Sequence, residues 1–366
     1  MFSSIGYSGR YLYWEEPLLK LASLHDLKIF TGSKLEDHES FNSKKLRSIS
    51  IQLKGRDSWN YSKHLQFYNP IQILSLVRKR PDLIIVNECT ILSLFVILFS
   101  KLWDVRTLLL LENSHINYRR RRMAGLSRFL RRSVISRASR VLTNNCSGKK
   151  FAIDFGISED RILVQPYLTS QVHCRTKIKG CATRYGRFKI LFVGQLIERK
   201  GLRIFLESLQ TIETTMQSRL ELSVVGKGPQ ETLLKELAEK CSAVKTVFHG
   251  SIPYKELGSY YTLADFMLIP TLHDYRALVG FEALNCGLPI LHSIYDGASQ
   301  EVTDHMVTGI KYDPLDKGSF THNLKLMLND ELLGKFRKNS EERAAKFSME
   351  KITENFCAAI DKVLNT

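Results

Sequence analysis

Short, wholly apolar runs recur along the 366-residue chain, separated by longer stretches in which apolar residues return every three or four positions. Continuous apolar runs predict strands buried on both faces, and the longer periodicity predicts helices that cover them. The alternation therefore predicts α/β architecture with parallel sheets. In the first half the predicted strands are DLKIF (26–30), DLIIV (82–86), RTLLLLE (106–112) and RVLT (140–143). In the second half KILFVG (189–194), LELSVVG (220–226), VKTVFHG (244–250), ADFMLIP (264–270) and LPILHS (288–293) repeat the pattern more clearly. The final segment, SMEKITENFCAAIDKVLN (348–365), spaces Ile352, Phe356, Ile360 and Val363 as one face of a helix.

The polar, basic stretch SQVHCRTKIKGCATRYGR (170–187) has no periodicity and reads as a connection between two α/β units. The expected organisation is a first domain over residues 1–170, a linker over 171–185, a second domain over 186–346 and a terminal helix over 347–366. Only MFSS precedes the glycine-bearing IGYSG. The opening strand is expected either to be very short or to have lost part of itself to the chosen start.

Composition adds less than the distribution of charge. The seven cysteines are scattered, without a C-x-x-C pair or histidines at zinc spacing, and read as buried thiols in a reducing compartment. The longest apolar run, ILSLFVILF (91–99), is far below the roughly 20 residues that span a bilayer, and no signal-peptide run opens the chain. The net charge of +16 lies entirely in residues 1–180, which hold 30 Lys and Arg against 14 Asp and Glu, while residues 181–366 hold 23 of each. Residues 113–153 contain no acid and eleven bases. One domain is therefore expected to face something anionic.

Three runs carry candidate chemistry. In KILFVGQLIERKG (189–201) a strand ends at Gly194 and a lysine-glycine pair follows just before an amphipathic helix. Backbone N–H groups and the Lys200 charge there suit a phosphate, although an ordinary turn with a surface lysine fits too. VVGKGPQETLLKEL (224–237) sets Gly226 and Gly228 at the next strand end, where ligands of open α/β sheets gather. In PTLHDYRALVGFEALNCGLPIL (270–291), Asp274 and Glu282 stand eight apart around the start of an apolar helix. Carboxylates so placed can accept hydrogen bonds from sugar or ribose hydroxyls, or merely complement the helix dipole.

Together these runs resemble the retaining glycosyltransferases of family four, the glycosyl transferases group 1. The matching segments are GQLIERKG, GKGP, Asp274 followed by Glu282 with EALNCGLP, and DGASQE (296–301) ahead of TGIKYDP. The resemblance is clear over residues 189–313 and implies a GT-B fold, two Rossmann-like domains facing each other across a cleft. The first would be the acceptor domain, the second the nucleotide-sugar donor domain, and the last helix would return to the first. On this resemblance Gly194 and Lys200 would cradle the donor diphosphate, Arg199 would assist, and Glu282 would hold the ribose. Asp274 would touch the donor sugar, with Leu278 and Val279 beside it. Gly226 would line the same strand-end site, and Phe248, Gly250 and Tyr254 would lie near the base. Gly6 and Gly9 would form a loop closing over the diphosphate, and His115 of LLLLENSH would stand beside the sugar. Lys200, Asp274 and His115 are thus the expected catalytic residues. No metal or other cofactor is expected, so the protein itself must stabilise the leaving diphosphate.

Gln195 replaces a usual arginine, Asp274 a usual glutamate and Ala277 a usual glycine, which alters the sugar pocket. The segment YRRRRMAGLSRFLRRSVISRASR (118–140) puts Met123, Leu126, Leu130 and Val134 on one helical stripe, with Arg119, Arg120, Arg121, Arg122, Arg128, Arg131 and Arg132 on other faces. Such a helix can lie on an anionic membrane surface, or pack its stripe in a core with a solvated basic face. Nucleic acid is disfavoured because no aromatic platform accompanies the charge. The expected function is transfer of a sugar from a UDP- or GDP-linked donor to a saccharide, expected to be lipid-linked, in cell-surface polysaccharide or lipopolysaccharide synthesis. The enzyme would be cytoplasmic and peripheral on the inner face of the cell membrane. The rival is a catalytically inactive glycosyltransferase-like partner subunit held at the membrane.

Overall fold

A computed structural model describes residues 2–3, 14–31, 42–46, 48–53, 63–112, 125–167, 169–170, 172, 174 and 186–365. The chain divides into two compact units, one of residues 1–55, 62–169 and 349–366, the other of residues 56–61 and 170–348.

In the first unit the strands are β1 (Phe2–Ser3), β2 (Lys28–Thr31), β3 (Asn42–Lys45), β4 (Ser48–Leu53), β5 (Lys63–Tyr68), β6 (Leu83–Asn87), β7 (Arg106–Leu111), β8 (Arg140–Thr143) and β9 (Ile162–Val164). Seven of them form one parallel sheet in the order β3-β2-β1-β6-β7-β8-β9, and β4 and β5 pair antiparallel. The runs Leu83–Val86 and Thr107–Leu111 are buried throughout, as helices on both faces require. The terminal helix Met349–Leu364 belongs to this unit. Its Phe356 ring meets Trp14 and Tyr167, Ile352, Ile360 and Val363 are buried beside it, and Arg106 donates to the Leu364 carbonyl at 2.6 Å.

The second unit contains β10 (Phe188–Val193), β11 (Leu220–Val225), β12 (Lys245–Gly250), β13 (Phe266–Ile269), β14 (Ile290–Ser293) and β15 (Gly309–Tyr312). They are parallel in the order β12-β11-β10-β13-β14-β15. The strand order reverses between β10 and β13, so the crevice at their carboxyl ends is where a ligand of this architecture binds. Helices Leu202–Leu209 and Glu231–Lys240 pack Phe205, Leu206, Leu209, Leu234 and Leu237 against the sheet.

The predicted basic helix runs over Gly125–Arg137, and the part of its segment before Gly125 lies outside the described residues. Its predicted apolar stripe does not survive whole. Val134 is buried with Ser133 and Ile135 and Leu130 packs against the core, but Leu126 is 81% exposed and Phe129 66%. The helix turns its C-terminal half into the unit and leaves its first turns outside.

Candidate functional site

Lys200 lies in a short 3-10 turn, Glu198–Lys200, that follows β10. Gly201 ends this turn with φ +73° and opens the helix Leu202–Leu209. A side chain at Gly201 would place its Cβ 2.0 Å from the Pro270 carbonyl oxygen, so only glycine lets the β10 loop lie against the β13 loop. Arg199 closes the same junction through its backbone. Its carbonyl accepts from Leu272 N–H and Thr271 Oγ1, each at 2.8 Å.

The junction brings the predicted charges together. Asp274 Oδ2 accepts from Lys200 Nζ at 2.5 Å and from Arg199 Nη1 at 3.0 Å. The three side chains are only 13–18% exposed. Burial alone would raise the Asp274 pKa, but the Lys200 and Arg199 charges outweigh it and hold the carboxyl below its usual range. The result is two cations and one internal anion at the reversal of strand order.

Two buried devices fix the Asp274 loop. Asp296 Oδ1 accepts from the backbone N–H groups of Ala277 and Ala298, while its Oδ2 pairs with His292 Nε2 at 2.9 Å. Arg276 forms a buried ion pair with Glu301, 2.8 Å at its closest, and lies 4.0 Å over the Phe281 ring. Asp296 and Glu301 bound the DGASQE run that motif reasoning marked, but their pairing with His292 and Arg276 was not legible from it.

Glu282 lies on the helix Leu278–Asn285, with Leu278 and Val279 half-buried in its first turn. The carboxylate is 2% exposed. Its Oε1 accepts from Ser170 Oγ and its Oε2 from Tyr261 OH, both at 2.6 Å, and Tyr254 OH stands 2.8 Å from Ser170 Oγ. Burial nevertheless pushes the Glu282 carboxyl up, against the pull of the Ser170, Tyr261 and Tyr254 hydroxyls. Because the folded state then binds a proton more readily than the unfolded chain, ionisation of Glu282 costs stability as pH rises above the ordinary carboxylate range. Glu282→Gln is therefore expected to keep or raise the melting temperature at neutral pH, with the advantage shrinking as pH falls into that range. Thermal unfolding of both proteins across pH checks this.

Gly194, Gly226 and Gly250 end three adjacent strands and are joined by short backbone hydrogen bonds, Gly194 N–H to Val225 and Gly226 N–H to Gly250. Gln195 and Tyr254 follow on the same edge. The expected all-thiol chain is corrected: Cys174 and Cys286 form a disulfide with Cα atoms 5.7 Å apart, while Cys89, Cys146, Cys241 and Cys357 are free. Their separation of 112 positions gives sequence spacing nothing to show. Gly6, Gly9, His115, Arg119, Arg120, Arg121 and Arg122 lie outside the described residues. Among the described residues no cluster of His, Cys, Asp and Glu has the makings of a metal site.

The first unit carries a polar row that the motifs did not reveal. Asn87 ends β6 and Glu88 follows it, Glu112 follows β7 and Asn144 follows β8. Glu88 adopts φ +58° and its Oε1 accepts from Glu112 N–H at 2.7 Å. Asn144 Oδ1 accepts from Tyr167 N–H, but among the described residues its buried Nδ2 has no hydrogen-bond partner, nor has buried Asn87 Oδ1. Backbone strain and unpartnered buried polar atoms thus gather at this carboxyl sheet edge.

Residues 176–347 match the family described as glycosyl transferases group 1. A D-inositol 3-phosphate glycosyltransferase from Paenarthrobacter aurescens is 26% identical over 217 residues, covering 56% of this chain and 51% of that protein. A glycogen synthase from Mycobacterium tuberculosis is 25% identical over 174 residues, covering 47% and 40% respectively. The chain thus spans about half the length or less of these two relatives. Among solved structures, HepE of Anabaena in complex with UDP superposes with a TM-score of 0.73 at 14% identity, over 99% of this chain and 98% of that one. Sucrose-phosphate synthase from Thermosynechococcus elongatus gives 0.69 at 15% identity, over 100% and 98%. The architecture is GT-B, two α/β units each built on a parallel sheet.

Proposed function

We propose that the chain transfers a sugar from a nucleoside diphosphate sugar, UDP- or GDP-linked, to a saccharide acceptor, with retention at the anomeric carbon. The observation that carries this is the convergence of Lys200 and Arg199 on Asp274 at the reversal of strand order. In the free protein the carboxylate occupies the position of an anion that the two cations are placed to hold. A donor diphosphate would take over those charges and leave Asp274 free to accept from sugar hydroxyls. Glu282 would hold the ribose and the Gly250–Tyr254 loop the base. The complex of HepE with UDP supports a nucleotide ligand for this architecture. No cofactor or metal enters the proposal.

The acceptor is proposed to bind the first unit, where Asn87, Glu88, Glu112 and Asn144 offer amides and carboxylates suited to sugar hydroxyls. We place this unit on an anionic lipid surface at the cytoplasmic face of the membrane. Leu126 and Phe129 are exposed on the same helix as exposed Arg128 and Arg132, with the half-buried Arg131 beside them. Leu102, 70% exposed, ends the helix Ile91–Leu102 that packs beside it. Apolar side chains among arginines suit the headgroup boundary, each basic residue contributing about 1 kcal/mol. No helix among the described residues is long and apolar enough to cross a membrane. A lipid-linked acceptor in polysaccharide or lipopolysaccharide synthesis follows from this placement. A lipopolysaccharide outer core galactosyltransferase, WaaB, shares the fold at a TM-score of 0.64.

Replacing Leu126 and Phe129 by aspartate is expected to abolish sedimentation with anionic vesicles while leaving the melting temperature within about 1 °C, as surface substitutions do. The activity itself is tested by release of nucleoside diphosphate from UDP-, GDP- and ADP-sugars. Release that Lys200→Ala abolishes supports the proposal. Vesicle binding without release from any donor supports an inactive partner subunit instead.

A further inference from the structure

Glu282 is where the donor-site proposal meets a difficulty, because a carboxylate 2% exposed with both oxygens engaged cannot receive a ribose until something moves. Tyr261 is fully buried on the helix Leu257–Leu263 and cannot be that element. Ser170 can: it stands outside any helix or strand, and it covers Oε1. Two further ties hold it to the Glu282 helix. Asn285 Nδ2 donates to the Ser170 carbonyl at 2.7 Å, and four residues on, Cys174 is bonded to Cys286 immediately after that helix. Both cysteines are partly exposed, so a soluble thiol can reach them.

We propose that Cys174 and Cys286 are a thiol–disulfide exchange site that controls entry of a nucleotide ribose to Glu282; this rests on the donor-site reading above. In the oxidised form the covalent tie keeps Ser170 on Oε1. A dithiol reductant opens it. One reductant thiolate attacks a sulfur of the pair, the other cysteine leaves as thiolate and takes a proton, and the second reductant thiol closes the mixed disulfide into a cyclic one. The protein gains two thiols and the reductant loses two. With the tie gone, Ser170 is held at Oε1 by hydrogen bonds alone, and a ribose hydroxyl can replace the one it donates to Glu282.

The test is calorimetric titration of the full chain with UDP and with GDP, after isolation without reductant and after dithiothreitol, with the pairing verified by differential alkylation. Reduction is expected to tighten binding by about tenfold, the equivalent of roughly one buried hydrogen bond to a charged group. Cys174→Ser and Cys286→Ser are each expected to bind like the reduced protein and to ignore dithiothreitol. Ser170→Ala is expected to bind more tightly than the oxidised protein without reduction. Equal affinity of the two forms, tighter binding by the oxidised form, or a response to dithiothreitol that persists in Cys174→Ser overturns the latch alone. Failure of the reduced protein to bind either nucleotide overturns the donor site and the latch with it.

Discussion

Lys200→Ala is expected to weaken nucleoside diphosphate binding by about 10²–10³-fold, or roughly 3–4 kcal/mol, while the protein stays folded. The size follows from the setting. Lys200 and Arg199 are 18% exposed, so their interaction with a diphosphate is poorly screened by water. Gln195 adds no charge beside them, which leaves these two as the cations the structure assembles on Asp274. The fold tolerates the loss because Asp274 keeps Arg199 and the N–H of Tyr275 as partners. Removal of the amine therefore leaves no unpaired buried charge, and the stability cost should stay near 1 kcal/mol. Titration calorimetry beside thermal unfolding separates the two effects. A large fall in melting temperature with little change in affinity would identify Lys200 as structural.

Gly226→Ala is expected to have the opposite profile, lowering stability by about 3 kcal/mol or more and the melting temperature by about 10 °C. Gly226 ends β11 with φ +139°, where a side chain is strained, and an added Cβ would lie 1.8 Å from the Gly194 carbonyl oxygen. Neither atom can step aside, since Gly194 is held to Val225 and Gly226 to Gly250 by their own hydrogen bonds. The substitution must push apart the ends of β10 and β11, so the nucleotide site should be lost together with the stability. Differential scanning calorimetry gives the shift directly. A shift smaller than about 2 °C would mean that the three strand ends are not packed as described.

The second unit was the more legible because its strands are continuous apolar runs between glycines, and β10 to β14 all stand within a residue or two of the positions their hydrophobicity marks. β15 was not marked as a strand, since GIKY is too short and too polar to stand out beside the preceding loop. In the first unit β3, with the sequence NSKK, contains no apolar residue, and the antiparallel β4–β5 pair interrupts the alternation of strand and helix. Hydrophobic periodicity cannot find such elements. The candidate site divides along the same line. Lys200, Asp274 and Glu282 were legible because each sits in a local run whose spacing carries its chemistry. Ser170, Tyr261, Asp296 and the Cys174–Cys286 bond were not, because each matters through a partner on another element, and in two cases more than a hundred positions away. Leu126 shows the same limit from the other side: it has the spacing of a core residue, but the helix emerges from the unit before reaching it.

The proposed donor site lies at the carboxyl edge between β10 and β13, and thermal stabilisation of the reduced protein by nucleotides tests that edge most directly. UDP or GDP and the corresponding nucleotide sugars should raise the melting temperature, the free nucleosides should not, and both Lys200→Ala and Glu282→Ala should abolish the shift. A shift that survives both substitutions, or none with any nucleoside diphosphate, would contradict it.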